Sequence, residues 1–190
     1  MEETKVQQDR ELILECQKGN TQAFGALYDK YIKKIYDFIY YKTHHKETAE
    51  DLTSQTFFKV LNAIQSVDPN RSFVSWLYKI AQNTVIDYYR TKRNHSDVDD
   101  MWDLADGTDI LGDLDTKAKI VELKKYMKKL SSLERDVVIM RVWQEMPYKE
   151  IAEVVGKSEA NCKMIFSRSL SKLRDMMPLL LYSMLLMNFK

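Results

Sequence analysis

Apolar residues recur at intervals of three and four positions along most of this chain, a spacing that predicts a series of amphipathic helices. The first such stretch covers residues 8 to 18 and ends at Gly19. Asn20 or Thr21 can cap the next and longer helix. The predicted inward positions of that second helix are Phe24, Leu27, Tyr28, Tyr31, Ile32, Ile35 and Ile39.

A third helix is predicted from about Thr48 to Ser66, and its two faces separate when each residue advances by about 100° around the axis. The inward face comprises Ala49, Thr53, Phe57, Val60 and Ile64. A second side is polar with one aromatic in it, and comprises Asp51, Gln55, Phe58 and Asn62. An aromatic anchor among polar contacts is typical of a protein interface. The alternative is that Phe58 covers a neighbouring helix.

A further long helix follows the break at Asp68-Pro69-Asn70, with Ser72 as its predicted cap and Arg93 near its end. Its inward positions are Phe73, Leu77, Ile80, Ala81, Thr84 and Tyr88, and its outer stripe is Trp76, Lys79, Asn83 and Arg90. Cations can neutralise phosphates, an amide can bind a base edge, and an indole can stack on an unpaired base. The stripe therefore indicates a nucleic-acid surface. The alternative is a solvated basic face beside a core aromatic.

The second half of the chain has the punctuation of a helix-turn-helix unit. Ser131 and Glu134 make a capping-box pattern at the start of one helix. Pro147 follows that helix and precedes the next one. A short helix over 148 to 155 then precedes Gly156, which suits a left-handed turn, and Ser158 can cap the last helix of the unit. We identify this last helix as a recognition helix.

The recognition helix has two distinct sides. Its inward side comprises Cys162, Ile165, Phe166, Ser169 and Leu173, so Cys162 is predicted to be a core residue. The opposite side is small and cationic, as a major groove requires, and comprises Ala160, Lys163, Met164, Ser167, Arg168, Ser171 and Arg174. The alternative is a helical hairpin that packs on another protein.

Charge divides the chain into two parts. The formal net charge is only +1, but eight aspartates and no Lys or Arg lie between His95 and Thr116. Without that acidic segment both flanking regions are basic, which favours a nucleic-acid partner. We predict a domain over 8 to 94, an acidic linker over 95 to 116, a second domain over 117 to 176 and a tail over 177 to 190. The alternative for the linker is a plain solvated spacer.

Composition favours helices and gives little support to catalysis. The chain has 5 Gly and 3 Pro and is rich in helix-forming residues, so we predict an all-α fold of two small helical domains. Its two cysteines form neither a disulfide framework nor a zinc pattern, and its start lacks the features of a signal peptide. There is no glycine-rich phosphate loop. We expect a cytoplasmic protein with no catalytic residue, metal, cofactor or small-molecule substrate.

Both halves resemble the extracytoplasmic-function sigma factors of the sigma-70 family, from about residue 10 to 175. The first half carries Ala49-Glu50-Asp51-Leu52, Gln55-Thr56-Phe57-Phe58-Lys59, Ser75-Trp76-Leu77-Tyr78-Lys79-Ile80-Ala81-Gln82-Asn83 and Ile86-Asp87-Tyr88-Tyr89-Arg90. The second half carries Leu130 to Arg141, Tyr148-Lys149-Glu150-Ile151-Ala152 and the residues through Ser167-Arg168. The resemblance implies that the first domain is sigma region 2 and the second is region 4, with region 3 absent.

The resemblance also implies a function for each surface. A factor of this family binds core RNA polymerase, through the β′ clamp helices and the β flap, and directs promoter-specific initiation in a stress or envelope response. The polymerase surface would be Asp51, Gln55, Phe58 and Asn62. The minus-ten surface, whose loop from Ser66 to Ser72 would hold a flipped base, would be Lys59, Asp68, Asn70, Arg71, Trp76, Lys79, Asn83 and Arg90. The minus-thirty-five surface would be Arg141, Tyr148, Ser158, Asn161, Lys163, Ser167 and Arg168.

Three further expectations follow. The linker would lie in the RNA exit path, and an anti-sigma factor would be a partner besides polymerase and promoter DNA. The recognition helix has Glu159-Ala160-Asn161-Cys162 where this family often has Val-Gly-Thr-Val, and this difference bears on promoter preference.

The alternative function is a helix-turn-helix regulator that acts without polymerase, but it gives no reason for Trp76, Lys79 and Asn83 to share a face.

The tail from Met176 to Lys190 lies outside the resemblance. It is too short to span a bilayer, and Pro178 can occupy the first turn of a helix that is apolar nearly all round. We expect this helix to pack on the second domain or between the domains. The alternatives are a separate protein partner or a membrane surface.

Overall fold

The computed structural model describes residues 2–92 and 122–187, with the side chains of 6–91 and 122–187. All regular structure in these residues is helical, which confirms the predicted all-α fold. The chain divides into two compact units, Met1–Asn94 and His95–Lys190. The predicted acidic linker lies outside the described residues, and so does Arg93, near the predicted end of the long helix.

The first unit is a bundle of four helices. They are α1 (Glu2–Gln17), α2 (Thr21–Thr43), α3 (Lys46–Ala63) and α4 (Phe73–Lys92), with a short 3-10 turn, Ile64–Ser66, after α3. Helix α2 packs against the other three. The largest fully buried side chains of this unit are Ile13, Leu27, Ile35, Phe38, Ile39, Leu52, Leu77 and Tyr78.

The predicted caps of the first unit are present. Gly19 has a φ of 91°, and the Asn20 side chain accepts hydrogen bonds from the backbone of Gln22 and Ala23. The connection from α2 to α3 consists of His44 and His45 alone. His44 ends α2 in the left-handed region, and the His45 ring Nδ1 accepts from Thr48 N to cap α3.

Three sequence expectations differ in detail. Helix α1 begins at Glu2, before the predicted residue 8, and α3 ends at Ala63 because the last three residues of the predicted helix tighten into the 3-10 turn. Tyr28 was predicted to face inward but is 38% exposed. Its ring lies edge-on to Phe57 with centroids 4.8 Å apart, so Tyr28 borders the core without entering it.

The second unit surrounds a long helix. Residues 122–127 are helical, followed by α5 (Ser132–Val142), α6 (Tyr148–Val155), α7 (Glu159–Met176) and α8 (Leu179–Met187). Helices α5 and α6 pack on α7 and on each other. Gly156 has a φ of 68° and the Ser158 side chain accepts from Asn161 N, so the predicted turn and cap of the helix-turn-helix unit are confirmed.

The predicted capping box opens α5 and also ties it to α7. Glu134 accepts from Ser131 N at 2.8 Å, and Lys172 of α7 donates to the other oxygen of the same carboxylate. Partial burial raises the pKa of Glu134, but hydrogen bonds from Lys172 and Ser131 outweigh it and hold that pKa below its ordinary value.

The tail forms the predicted helix α8, with Tyr182 N donating to Pro178 O in its first turn. Helix α8 packs against α7 and buries Leu181 and Leu185. Its other side stays in solvent, where Leu179 is 82% exposed, Leu180 65% and Met187 76%. Among the helices of the described residues, none has the length and apolarity that a bilayer crossing requires.

Candidate functional site

The polar side of α3 is exposed to solvent in the first unit. Asp51, Gln55 and Asn62 are exposed, and Phe58 keeps 66% of its surface in contact with solvent. The adjacent Phe57 is only 4% exposed, as the helical periodicity predicts. The alternative that Phe58 covers a neighbouring helix is therefore wrong.

Sequence reasoning missed one apolar member of this side. Leu61 lies three residues after Phe58, which places the two side chains on neighbouring positions of the helix surface, and it is 47% exposed. The signal was present in the i, i+3 spacing. Phe58 and Leu61 together give α3 an exposed apolar centre with polar residues around it.

The outer stripe of α4 combines exposed polar residues with one partly covered aromatic. Lys79, Asn83 and Arg90 are exposed. Trp76 is half-buried, and its ring lies 5.8 Å from that of Phe73. The indole therefore has a core side and a solvent side.

Lys59 reaches from α3 to the stripe on α4. Its amine donates to Thr84 Oγ1 at 3.1 Å and lies 3.7 Å from the Asp87 carboxylate. Asp87 follows Asn83 by four residues, as Asn83 follows Lys79, so the three share one face of α4. The structure thus brings Lys59 to the row of Lys79 and Asn83, together with an acidic residue that the sequence prediction did not include.

The loop between α3 and α4 is organised by local polar contacts. Asp68 Oδ1 accepts from Asn70 N at 2.9 Å, and the Asp68 carboxylate lies 3.9 Å from Arg71 Nε. All three residues are exposed. A fourth side chain comes from α1, where Arg10 Nε donates to Asn70 Oδ1 at 3.2 Å.

The recognition helix α7 presents the predicted face to solvent. Its seven members are exposed, and they are Ala160, Lys163, Met164, Ser167, Arg168, Ser171 and Arg174. The opposite side packs inward, with Cys162 and Leu173 each 0% exposed. Burial raises the pKa of the Cys162 thiol, as it does that of Cys16, so neither has the character of an activated nucleophile.

Two of the predicted minus-thirty-five residues meet at the start of α6. Arg141 is half-buried, donates from Nη1 to Met146 O at 3.1 Å, and lies 5.0 Å from the centre of the Tyr148 ring. The Lys163 amine lies 5.8 Å from the centre of the same ring. The Tyr148 ring therefore contacts one cation from α5 and one from α7, close to the edge of the exposed face.

Ser158 and Asn161 form the N-terminal cap of α7. The Ser158 hydroxyl accepts from Asn161 N at 3.2 Å, and Asn161 is half-buried. Glu159, the first residue of the helix, forms an ion pair with Lys163 at 2.7 Å.

Among the described side chains, no group of three or more His, Cys, Asp or Glu is placed to hold a metal ion.

Comparison with known proteins assigns both units. Residues 27–95 match the family model of Sigma-70 region 2, and residues 120–173 match that of Sigma-70, region 4. Two Bacillus subtilis relatives are similar over nearly all their own length. They are RNA polymerase sigma factor YlaC, 33% identical over 80% of this chain and 90% of YlaC, and ECF RNA polymerase sigma factor SigX, 30% identical over 84% and 86%. This chain belongs to the extracytoplasmic-function sigma factors.

A longer relative agrees with this assignment, and two solved structures are similar in fold. ECF RNA polymerase sigma factor BldN of Streptomyces coelicolor is 31% identical over 88% of this sigma factor, which spans 65% of BldN's length. The structure of CnrH with the cytosolic domain of CnrY has a TM-score of 0.70 at 23% identity and covers 88% of this chain and 96% of that one. The sigma factor RpoE of Bartonella quintana, in complex with the anti-sigma factor NepR, has a TM-score of 0.61 at 20% identity and covers 80% and 94%. These two structures share its fold.

The region 2 match covers most of α2 together with α3 and α4, and the region 4 match runs from residue 120 to near the end of α7. Helices α1 and α8 lie outside both. As an alternative sigma factor, the chain directs RNA polymerase in promoter-specific transcription initiation, in a family that is not known for enzymatic activity.

Proposed function

We propose that the sigma factor binds the β′ clamp helices of core polymerase through Asp51, Gln55, Phe58 and Asn62 of α3. The supporting observation is the 66% exposure of Phe58 on a helix whose opposite face is fully packed. Burying a phenylalanine that is otherwise in water contributes about 1.5–3 kcal/mol. Phe58, surrounded by polar residues and adjoined by Leu61, has the character of an interface anchor.

The minus-ten surface extends along α4 and its preceding loop. Lys59, Lys79 and Arg90 supply cations, and the exposed Asn83 amide can bind a base edge. Trp76 presents one side of its indole to a neighbouring base. Asp68, Asn70 and Arg71 form the exposed loop that would receive a base from the melted strand.

The minus-thirty-five surface is the exposed face of α7. Lys163, Ser167 and Arg168 are exposed on that face and can enter a major groove. Ser158 and Asn161 set the start of the helix, and Arg141 with Tyr148 supports its edge. Their contribution to DNA recognition would then be made through the position of α7 as well as by contact.

The remaining partners follow from the same assignment. The second unit would contact the β flap while it binds DNA, and an anti-sigma factor would hold the free protein inactive, as NepR accompanies RpoE in its complex. We place the protein in the cytoplasm, where RNA polymerase acts. A regulator that works without polymerase would leave the Phe58 surface without a role.

The test is the affinity of Phe58→Ala and Phe58→Ala/Asp51→Lys for core polymerase. We expect at least tenfold weaker binding by the double variant, since loss of an anchor costs more than about 1.4 kcal/mol. Leu180→Ala is the matched control, because Leu180 is an apolar side chain on the second unit that is 65% exposed, nearly the same as Phe58. Unchanged affinity of the double variant, with helicity intact by circular dichroism, would refute the proposed surface.

A further inference from the structure

Helix α1 lies outside the region 2 match, which begins at residue 27, yet it makes four hydrogen bonds with the 3-10 turn and the minus-ten loop that follows it. We propose that α1, through Gln17 and Arg10, positions this loop for its base and thereby acts in promoter opening without being a DNA contact. This inference rests on the proposed assignment of the loop to the minus-ten element.

Gln17 fixes the point where the chain leaves α3. Its Nε2 donates to Ile64 O at 3.1 Å and to Val67 O at 2.8 Å, the first residue of the 3-10 turn and the first residue after it. An amide nitrogen has two hydrogens, so both donors of Gln17 are used. In the opposite direction, Gln65 Nε2 in the 3-10 turn donates to Cys16 O of α1 at 3.2 Å. The helix and the turn thus each donate hydrogen bonds to the other.

Arg10 contacts the loop three residues after Val67, at Asn70. It donates to Asn70 Oδ1, while Asn70 Nδ2 donates to Asp68 Oδ1 at 3.2 Å. The two ends of the Asn70 amide therefore have different partners, and the orientation of its donor and acceptor is set. Because Asp68, Asn70 and Arg71 are exposed, this part of the loop depends on polar contacts for its conformation.

Helix α1 is itself firmly attached to the bundle. Asp9 is only 5% exposed, and its carboxylate accepts from Lys30 Nζ at 2.7 Å and from the Tyr31 hydroxyl at 2.5 Å, both on α2. Ile13 and Cys16 are buried on the same side. The residues that contact the loop thus extend from a fixed support.

A loop held in its binding conformation loses less entropy when it receives a base. Removing the donors of Gln17 should therefore weaken binding of the unpaired minus-ten strand and reduce discrimination between bases. Binding to core polymerase through α3 should be unaffected, since Phe58 lies on a side of α3 that Gln17 does not contact.

The experiment compares Gln17→Met with Gln7→Met in full-length protein bound to core polymerase. Methionine has nearly the length of glutamine but no N–H. Gln7 is an exposed residue of the same helix, and its amide donates to Glu11 within α1. The probe is a single-stranded oligonucleotide with the minus-ten sequence of a promoter mapped in vitro, beside the same oligonucleotide with one minus-ten base replaced.

We expect Gln17→Met to bind the cognate oligonucleotide about tenfold more weakly, for two lost hydrogen bonds, and to discriminate less between the two oligonucleotides. Gln7→Met should behave as the unchanged protein. Equal affinity and equal discrimination in the two variants would overturn the inference, and so would a loss of thermal stability in Gln17→Met with discrimination unchanged. If Gln17→Met does not fold, Arg10→Met, which alters only the half-exposed end of the contact, gives the same test.

Asn83→Ala and Lys79→Ala separate this inference from the proposed function. If both weaken binding of the oligonucleotide and Gln17→Met does not, the minus-ten surface stands and the positioning role of α1 fails. If neither has an effect, the proposed surface itself is wrong.

Discussion

At the residue scale, helical periodicity predicted burial well where a helix has one clear core. It predicted that Phe57 is buried and Phe58 exposed, and the two are 4% and 66% exposed. It also predicted every residue of the exposed face of α7. It could not predict contacts between distant residues. The Lys59 bond to Thr84 and the inward turn of Arg141 to Met146 O depend on how helices pack and on a turn where Glu145 has a φ of 52°.

Arg168 gives a direct test of the recognition face. Arg168→Ala should weaken promoter binding by about 1–3 kcal/mol if its guanidinium contacts a base, and should reduce the preference for the minus-thirty-five sequence over scrambled DNA. Lys149→Ala removes an equal charge from α6 and should affect both DNAs alike. Binding assays at matched salt measure the ratio, and an identical ratio in the two variants would contradict a base contact.

At the scale of the element, helix beginnings were more predictable than helix extents. Asn20, Ser131 and Ser158 are capping residues whose chemistry is local, and each caps the expected helix. His45 was missed because histidine is not a usual cap, although its ring nitrogen accepts from Thr48 N. The start of α1 was missed because its first turn has no apolar periodicity.

Two glycines should respond oppositely to alanine. Gly156 has a φ of 68°, so Gly156→Ala should destabilise the second unit by about 1 kcal/mol through backbone strain. Gly25 lies within α2 with open space around it, so Gly25→Ala should stabilise the first unit by about 0.5–1 kcal/mol. Urea unfolding of each variant measures both effects, and destabilisation by Gly25→Ala would show an unrecognised packing constraint.

The start of α5 should make the second unit sensitive to acid. Since the folded pKa of Glu134 is lowered, its charge contributes stability above the ordinary carboxyl pKa, and this contribution is lost as pH falls through the folded value. Glu134→Gln retains the capping-box pattern but removes the charge. Urea unfolding between pH 7 and pH 3, monitored in the second unit, should show a smaller loss of stability in Glu134→Gln, and equal slopes would exclude the ion pair with Lys172 as the cause.

At the scale of the whole molecule, the order and separation of the motifs predicted the family, whereas the net charge of the chain gave no indication of a nucleic-acid partner. A net charge of +1 suggests no nucleic-acid partner until the aspartates between His95 and Thr116 are considered separately. The apolar tail was predicted to form a helix, but its burial depends on the surface of α7. Leu181 and Leu185 are buried, whereas Leu179 and Leu180 remain in solvent.

The tail should therefore stabilise the second unit. Deleting residues 177–190 removes the buried side chains of Met177, Leu181 and Leu185, and we expect a loss of about 3 kcal/mol or more in the unfolding free energy of that unit, with the first unit unchanged. The double substitution Leu179→Gln and Leu180→Gln should have little effect, because both side chains are exposed. Calorimetry resolves the two units, and an unchanged second transition in the deletion would show that α8 contributes no stability.

The two-residue connection between α2 and α3 also determines where a reporter group can be inserted. His44 N donates to Tyr40 O to end one helix, and the His45 ring begins the next, so each residue of the connection serves a helix terminus. Replacing either residue with a tag or protease site would remove a helix cap, and the cap at His45 belongs to the helix that carries Phe58. Fusions of this protein should therefore leave His44 and His45 in place.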